Sequence, residues 1–249
     1  MIAWPDGRGD TTTRVHWLQG PHAYVDLRQP ASMPDFSHAA DLGELSAADC
    51  AWLATQEGFA GHLSFDGRHF EWARQIDFQP ASAIADAGSL EWEAQILVER
   101  GRDIGYVEHW HRDAAAGTEP CGAAVLREVQ YRTKAILLRV GSAFMFARDR
   151  AMPLPAHRTL SDSVAAAATV ELARALIDCE ISFGIVACEG FRITAATLPY
   201  RLGAVLGQRF LHDTVTTCHR AADGAAGARV WDIIDCEGDL GALRRPQEC

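Results

Sequence analysis

The sequence predicts a mainly β protein: one closed antiparallel barrel of about ten to twelve strands with two accessory helices. Two observations carry this reading. Short runs of alternating apolar and polar residues recur along the chain between turn residues, and helical periodicity shows in only two stretches. The regular succession of strand and helix that marks a doubly wound nucleotide fold is missing.

The first strands are expected at 13–18 and 23–28, split by the turn pair Gly20-Pro21. Strands 58–65 and 68–77 flank Asp66-Gly67, a pair suited to a type I′ hairpin because both residues tolerate positive φ. Runs at 89–98 and 104–112 follow, then 126–132, 135–140 and 142–148, and later 180–188, 191–197 and 229–235. A helix is expected over 46–57, where Ser46 with Asp49 three positions on makes a capping-box start. The second, over 163–178, is rich in Ala and Leu and apolar at Val170, Ala173, Leu176 and Ile177.

A chain of 249 residues accommodates one large barrel. No Pro/Gly/Ser linker divides it, so residues 1–249 read as one domain whose best seam is 157–163. It buries enough surface to need neither disulfide nor metal for its core. A formal net charge of −10 argues against nucleic acid as a partner. The start, Met1-Ile-Ala-Trp-Pro-Asp, has no basic or apolar signal segment, and no apolar run has the length of a membrane span. Seven scattered cysteines, odd in number and without C-x-x-C, fit reduced thiols, and a cytoplasmic location is expected.

Phosphate loop, nucleophile elbow, zinc helix and dinucleotide fingerprint are all absent from the sequence. What stands out is Tyr106-Val-Glu-His-Trp-His-Arg112. On a strand, Tyr106, Glu108 and Trp110 share one face and His109 and His111 the other. A carboxylate between two large rings is partly desolvated, which suits Glu108 to proton transfer; a structural ion pair with a cross-strand arginine is the alternative. His109-x-His111 lacks the carboxylate and glycine spacing of an H-x-H metal motif, so no metal or other cofactor is expected. Phe70, Trp72, Arg74 and Ile76 alternate likewise, which sets Arg74 among apolar groups and in need of a partner: Glu108, Asp26 or a ligand carboxylate. Tyr24, Asp26 and Arg28 alternate with Val25 and Leu27, giving that strand a polar-aromatic face.

These segments bring a family into view. Tyr24-Val-Asp-Leu-Arg28-Gln-Pro30, Phe59-Ala-Gly61, Trp72-x-Arg74, Asp86-x-Gly88-x-Leu90, Tyr106-x-Glu108-x-Trp110 and Thr197-Leu-Pro-Tyr-Arg-Leu-Gly203 resemble a bacterial lipocalin-like family. That family is similar to the fungal cytosolic barrel proteins named for interaction with a casein kinase I. The resemblance runs roughly from Val15 to Gly203 and implies a calycin-type barrel without a settled activity.

The leading expectation is a small-molecule-binding barrel. Tyr24, Arg28, Trp72, Trp110 and His109 would contact a flat, apolar ligand whose anionic or polar group meets Arg74 or Arg28. A cofactor-independent hydrolase, lyase or isomerase is the second reading, with Glu108 as acid/base and Tyr106 or Arg74 as stabiliser. A protein-interaction barrel filled by its own side chains is the third. A second copy of the chain, as a homodimer, is left open as a partner; nucleic acid and membrane are not expected.

Overall fold

A computed structural model describes residues 1–155, 158–220 and 225–244, with the backbone alone at 116 and 220. In place of one closed barrel there are two open antiparallel sheets, of nine and eight strands. The first is built from β1 Ile2–Ala3, β2 Gly9–Asp10, β3 Arg14–Gln19, β4 Ala23–Gln29, β5 Glu57–Phe65, β6 Phe70–Asp77, β7 Ala87–Glu93, β8 Ile96–Gly101 and β9 Val107–His111. The second contains β10 Cys121–Glu128, β11 Lys134–Val140, β12 Ala143–Arg148, β13 Glu180–Ala187, β14 Gly190–Ala196, β15 Arg209–Leu211, β16 Thr214–Arg220 and β17 Ala226–Gly238. Helices α1 Ala47–Leu53, α2 Leu160–Ala165 and α3 Val170–Ile177 complete the fold. The chain changes sheet between His111 and Cys121, well before 157–163; position 157 itself lies outside the described residues.

The first sheet, ordered β2-β1-β9-β8-β7-β6-β5-β4-β3, curls into a half-barrel. Arg28 on β4 thereby reaches Glu108 on β9, and the rings of Trp17 on β3 and Trp110 on β9 lie 4.9 Å apart. Among the described residues no ladder joins its edges β2 and β3, nor the edges β14 and β15 of the second sheet. The two sheets share one core. Val25 and Leu27 from the first meet Ile136, Leu138, Met145 and Ile181 from the second, and α1, α2 and α3 pack against the same cluster. Period-two alternation sends the other faces elsewhere. Leu137, Phe144, Phe146 and Trp231 fill the second sheet's far face, whereas Tyr24, Phe59 and Trp72 form only a small cluster on the first sheet's concave side.

Several expected elements change shape for identifiable reasons. The capping box of Ser46 and Asp49 forms, but α1 stops at Leu53 because Glu57 is already paired with Arg28 in the β4–β5 ladder. The expected long helix is broken in two, since Thr169 accepts from the Leu172 amide and starts a new N-terminus. The run 89–98 is two strands joined at Ala94, which adopts φ +57°. The Asp66-Gly67 hairpin forms with a four-residue loop, not a two-residue turn. There the Asp66 carboxylate accepts from the Arg68 and His69 amides. Five described cysteines are free, as expected, but Cys188 is disulfide-bonded, against the all-thiol reading.

One irregularity builds the site described next. Gly61 pairs with Arg74 but Ala60 with Ile76, so Gln75 is the extra residue of a β-bulge. Ile76 is thereby turned into the inter-sheet core, which corrects its expected place beside Arg74, and Asp77 comes round to Arg74's side. The bulge needs Gly61, because a Cβ there would collide with the Ala73 carbonyl oxygen. Gly61→Ala should therefore cost about 2 kcal/mol, read as a lower denaturation midpoint. An unchanged midpoint would mean that the bulge relaxes freely.

Candidate functional site

The concave side of the first sheet opens into a cleft of ≈1140 Å³. Six of the eight residues singled out in the sequence line it: Arg28, Trp72, Arg74, Tyr106, Glu108 and Trp110. Tyr24 does not. It is fully buried edge-on to Phe59, 6.0 Å between ring centres, and its hydroxyl has no partner among the described residues. Burial pushes that phenol well above its ordinary pKa, so Tyr24 is floor rather than lining. His109 also lies off the cleft, on the opposite face of β9 from Glu108 and Trp110, and so stands apart from the other expected ligand contacts.

Arg28 is held between two carboxylates. Its Nε donates to Asp26 at 3.0 Å, and Nη1 and Nη2 donate to Glu108 at 2.6 and 3.2 Å. All three groups are largely withdrawn from water, with side-chain exposures of 17 % for Arg28, 3 % for Asp26 and 7 % for Glu108. Burial works against the guanidinium charge, but the two carboxylates overcome it and hold Arg28 well above its usual pKa. Asp26 is pushed up to about 6 by burial, with Arg28 opposing.

Arg74 is not paired with Glu108. Its partners are Asp77 at 3.0 Å, brought round by the bulge, and Asp86 at 2.6 Å, and its guanidinium carbon lies 3.6 Å from the centre of the Phe59 ring. This second triad is wetter, with Arg74 at 30 % exposure. Burial raises Asp77 to about 6 against the pull of Arg74.

Between the triads lies a residue that the sequence reading did not single out. Glu99 on β8 sits directly across the ladder from Glu108, and like charges in that position repel. Its oxygens accept from the Tyr106 hydroxyl at 2.6 Å and the Trp110 indole N–H at 2.9 Å. Burial, then the charge of Glu108, push Glu99 up to about 7, with the Tyr106 and Trp110 hydrogen bonds opposing. The Tyr106 hydroxyl also stands 3.3 Å from Asp86, so hydrogen bonds link Glu99 through Tyr106 to the Arg74 triad. Trp17 lines the cleft with a buried indole N–H that has no partner among the described residues. Among the described residues, no group of three or more His, Cys, Asp or Glu side chains is disposed to hold a metal ion. No helix of the described residues is long and apolar enough to cross a membrane.

No family model matches the chain, and no curated protein matches it in sequence. In structure it is similar to the uncharacterized protein YLR301w from Saccharomyces cerevisiae. The TM-score is 0.50 and the identity 10%, over 95% of this chain and 96% of that one. Likeness at this identity concerns the fold alone.

Proposed function

We propose that the chain binds a small organic molecule in the cleft of its first sheet, a flat, largely apolar ligand with a polar group. The observation that carries this is the contrast between the two sheets. The second sheet's far face is filled by Phe144, Phe146, Phe191 and Trp231 and keeps only a smaller cavity of ≈620 Å³ beside Glu128, Arg148 and Arg229, while the first sheet keeps an open cleft of ≈1140 Å³ beside indole rings and buried charges. That contrast favours a ligand over a barrel filled throughout by its own side chains. The same reading takes the chain as a distant relative of the calycin-type barrels, acting in the cytoplasm on neither nucleic acid nor membrane. Homodimer formation is left open.

Native mass spectrometry of gently purified protein, with and without denaturation, tests the reading. The expected result is a small organic mass retained in the folded state and released on unfolding. A mass equal to the bare chain, together with no thermal shift across a library of flat organic compounds, would sink it.

A second reading is favoured by one observation. Glu99 and Glu108 stand side by side in unlike environments, one met by neutral donors and the other by a guanidinium, the arrangement that separates an acid from a base. If this is catalysis, a retained ligand would be converted on standing, and Glu108→Gln would keep the ligand while stopping its conversion.

A further inference from the structure

The charges of the cleft are unbalanced. Eight acidic and three basic side chains line it among the described residues. Two of its three arginines are already paired with carboxylates. Arg28 and Arg74 each carry two carboxylates, so each triad retains a surplus negative charge. The third, Arg150, donates through Nη2 to the Phe78 carbonyl at 2.6 Å and lies over the Phe78 ring, its Nε without a partner among the described residues, and this single cation leaves the acidic surplus in place. Glu99 has no guanidinium partner: its oxygens meet a phenol and an indole, which are neutral donors. It is nonetheless 95% withdrawn from water, with a relative exposure of 5%. A buried carboxylate opposite another carboxylate is costly unless something positive joins them.

Indole rings supply the other half of the site. Trp17, Trp72 and Trp110 are clustered, with Trp17 lying 6.3 Å from Trp72 and 4.9 Å from Trp110 between ring centres, and all three line the cleft. Aromatic faces and desolvated carboxylates together are the surroundings in which an organic cation is held most strongly. An anion would add to the negative surplus. A small hard metal ion would need carboxylate oxygens that here accept from guanidiniums, and would gain nothing from the indoles.

We propose that the cleft selects an organic cation, whose positively charged nitrogen lies against Glu99 and its acidic neighbours Glu108 and Asp86 and whose apolar body lies on the indoles. This rests on the small-molecule reading above and adds the sign of the ligand's charge. It has a thermodynamic consequence. In the empty cleft the proton on Glu99 relieves the repulsion between Glu99 and Glu108; an arriving cation does the same and expels that proton. Binding should therefore release a proton near neutrality and strengthen as pH rises.

The test uses three probes of nearly one shape: 2-phenylethylamine, 2-phenylethanol and 3-phenylpropanoate, titrated calorimetrically into the full chain. At about pH 8 the amine should bind about tenfold or more tightly than the alcohol, with the carboxylate weakest. Lowering the pH to about 5.5 should weaken the amine about tenfold and leave the alcohol unchanged. In buffers of different ionisation enthalpy, the amine alone should show proton release. Glu99→Gln, which keeps the side chain's shape, should lose the amine's preference and its pH dependence while still binding the alcohol. Should that variant fail to fold by circular dichroism, Asp86→Asn serves in its place and should narrow the preference in the same direction. Tightest binding by the alcohol or the carboxylate would overturn the cation inference and leave small-molecule binding standing. An amine preference unchanged in the folded variant would also overturn it. Binding of none of the three at their solubility limits would overturn the cation inference, and the small-molecule reading would then stand or fall on the mass-spectrometry result above.

Discussion

Replacing Arg28 by Met should destabilise the chain by about 3–5 kcal/mol at neutral pH, the largest loss expected of any side chain in the cleft. The size follows from what is left behind. Asp26 and Glu108 both lose the guanidinium they are paired with, and neither can turn to water, since their side chains are 3% and 7% exposed. Two buried like charges then face each other without compensation. The deficit should shrink on acidification, because burial already holds Asp26 at about 6 with Arg28 opposing, and loss of Arg28 removes that opposition. Arg74→Met makes the control. Its guanidinium is 30% exposed and its partners Asp77 and Asp86 are partly wetted, so its loss should cost about 1 kcal/mol. Urea denaturation of the two variants at pH 7 and near pH 5 measures both. The triple variant Arg28→Met, Asp26→Asn, Glu108→Gln should recover most of the stability, since no charge is then stranded. If Arg28→Met cost no more than Arg74→Met, the cleft would be hydrated through to Arg28 and the buried triad would not exist.

The polar face of β4 was legible in the sequence because alternation is a local signal: Tyr24, Asp26 and Arg28 must lie opposite Val25 and Leu27 wherever the strand is placed. The same holds for Tyr106, Glu108 and Trp110 against His109. Pairing was not legible. Alternation assumes an unbroken strand, so it sets Arg74 beside Ile76 and offers Glu108, Asp26 or a ligand carboxylate as its partner. One extra residue at Gln75 reverses the faces beyond it and brings in Asp77. Glu99 escaped notice because it belongs to β8, a strand separated from β7 only by the turn at Ala94, and because its environment comes from the β8–β9 register. An alanine in left-handed conformation gives no turn signal. The two-sheet architecture was hidden in another way. β1, β2 and β15 are two or three residues long, too short for alternation to show, and sheet order is set by contacts distant in sequence. Tyr24 was correctly set on the cleft's side of the strand, yet Phe59 covers it, because a face does not specify depth.

The chain should be more stable near pH 5 than near pH 8, and Glu99 should account for much of the difference. Burial and the facing charge of Glu108 push Glu99 up to about 7, and burial pushes Asp26 and Asp77 up to about 6. An unfolded chain releases such protons near pH 4 to 4.5. Between that value and the folded one, the native state binds more protons than the unfolded state, so stability falls as pH rises through the window and the loss is complete above about 7. For Glu99 alone this is about 3 kcal/mol, with Asp26 and Asp77 adding in the same direction. The effect runs opposite to that of carboxylates such as Asp10, held well below the usual carboxylate range by its hydrogen bonds to Thr13 and Thr12, whose contribution is lost only in strong acid. Glu99→Gln removes the titration but gives up one hydrogen bond, because an amide cannot accept from both Tyr106 and Trp110 through its two terminal atoms. The variant should gain about 2 kcal/mol over the parent at pH 8 and nothing, or a slight loss, at pH 5. Guanidinium chloride cannot be used, since its salt would screen the charges in question; urea at constant ionic strength can. Parent stability that rose steadily from pH 5 to pH 8 would show that Glu99 is ionised throughout, and that the facing carboxylates on β8 and β9 are not in conflict.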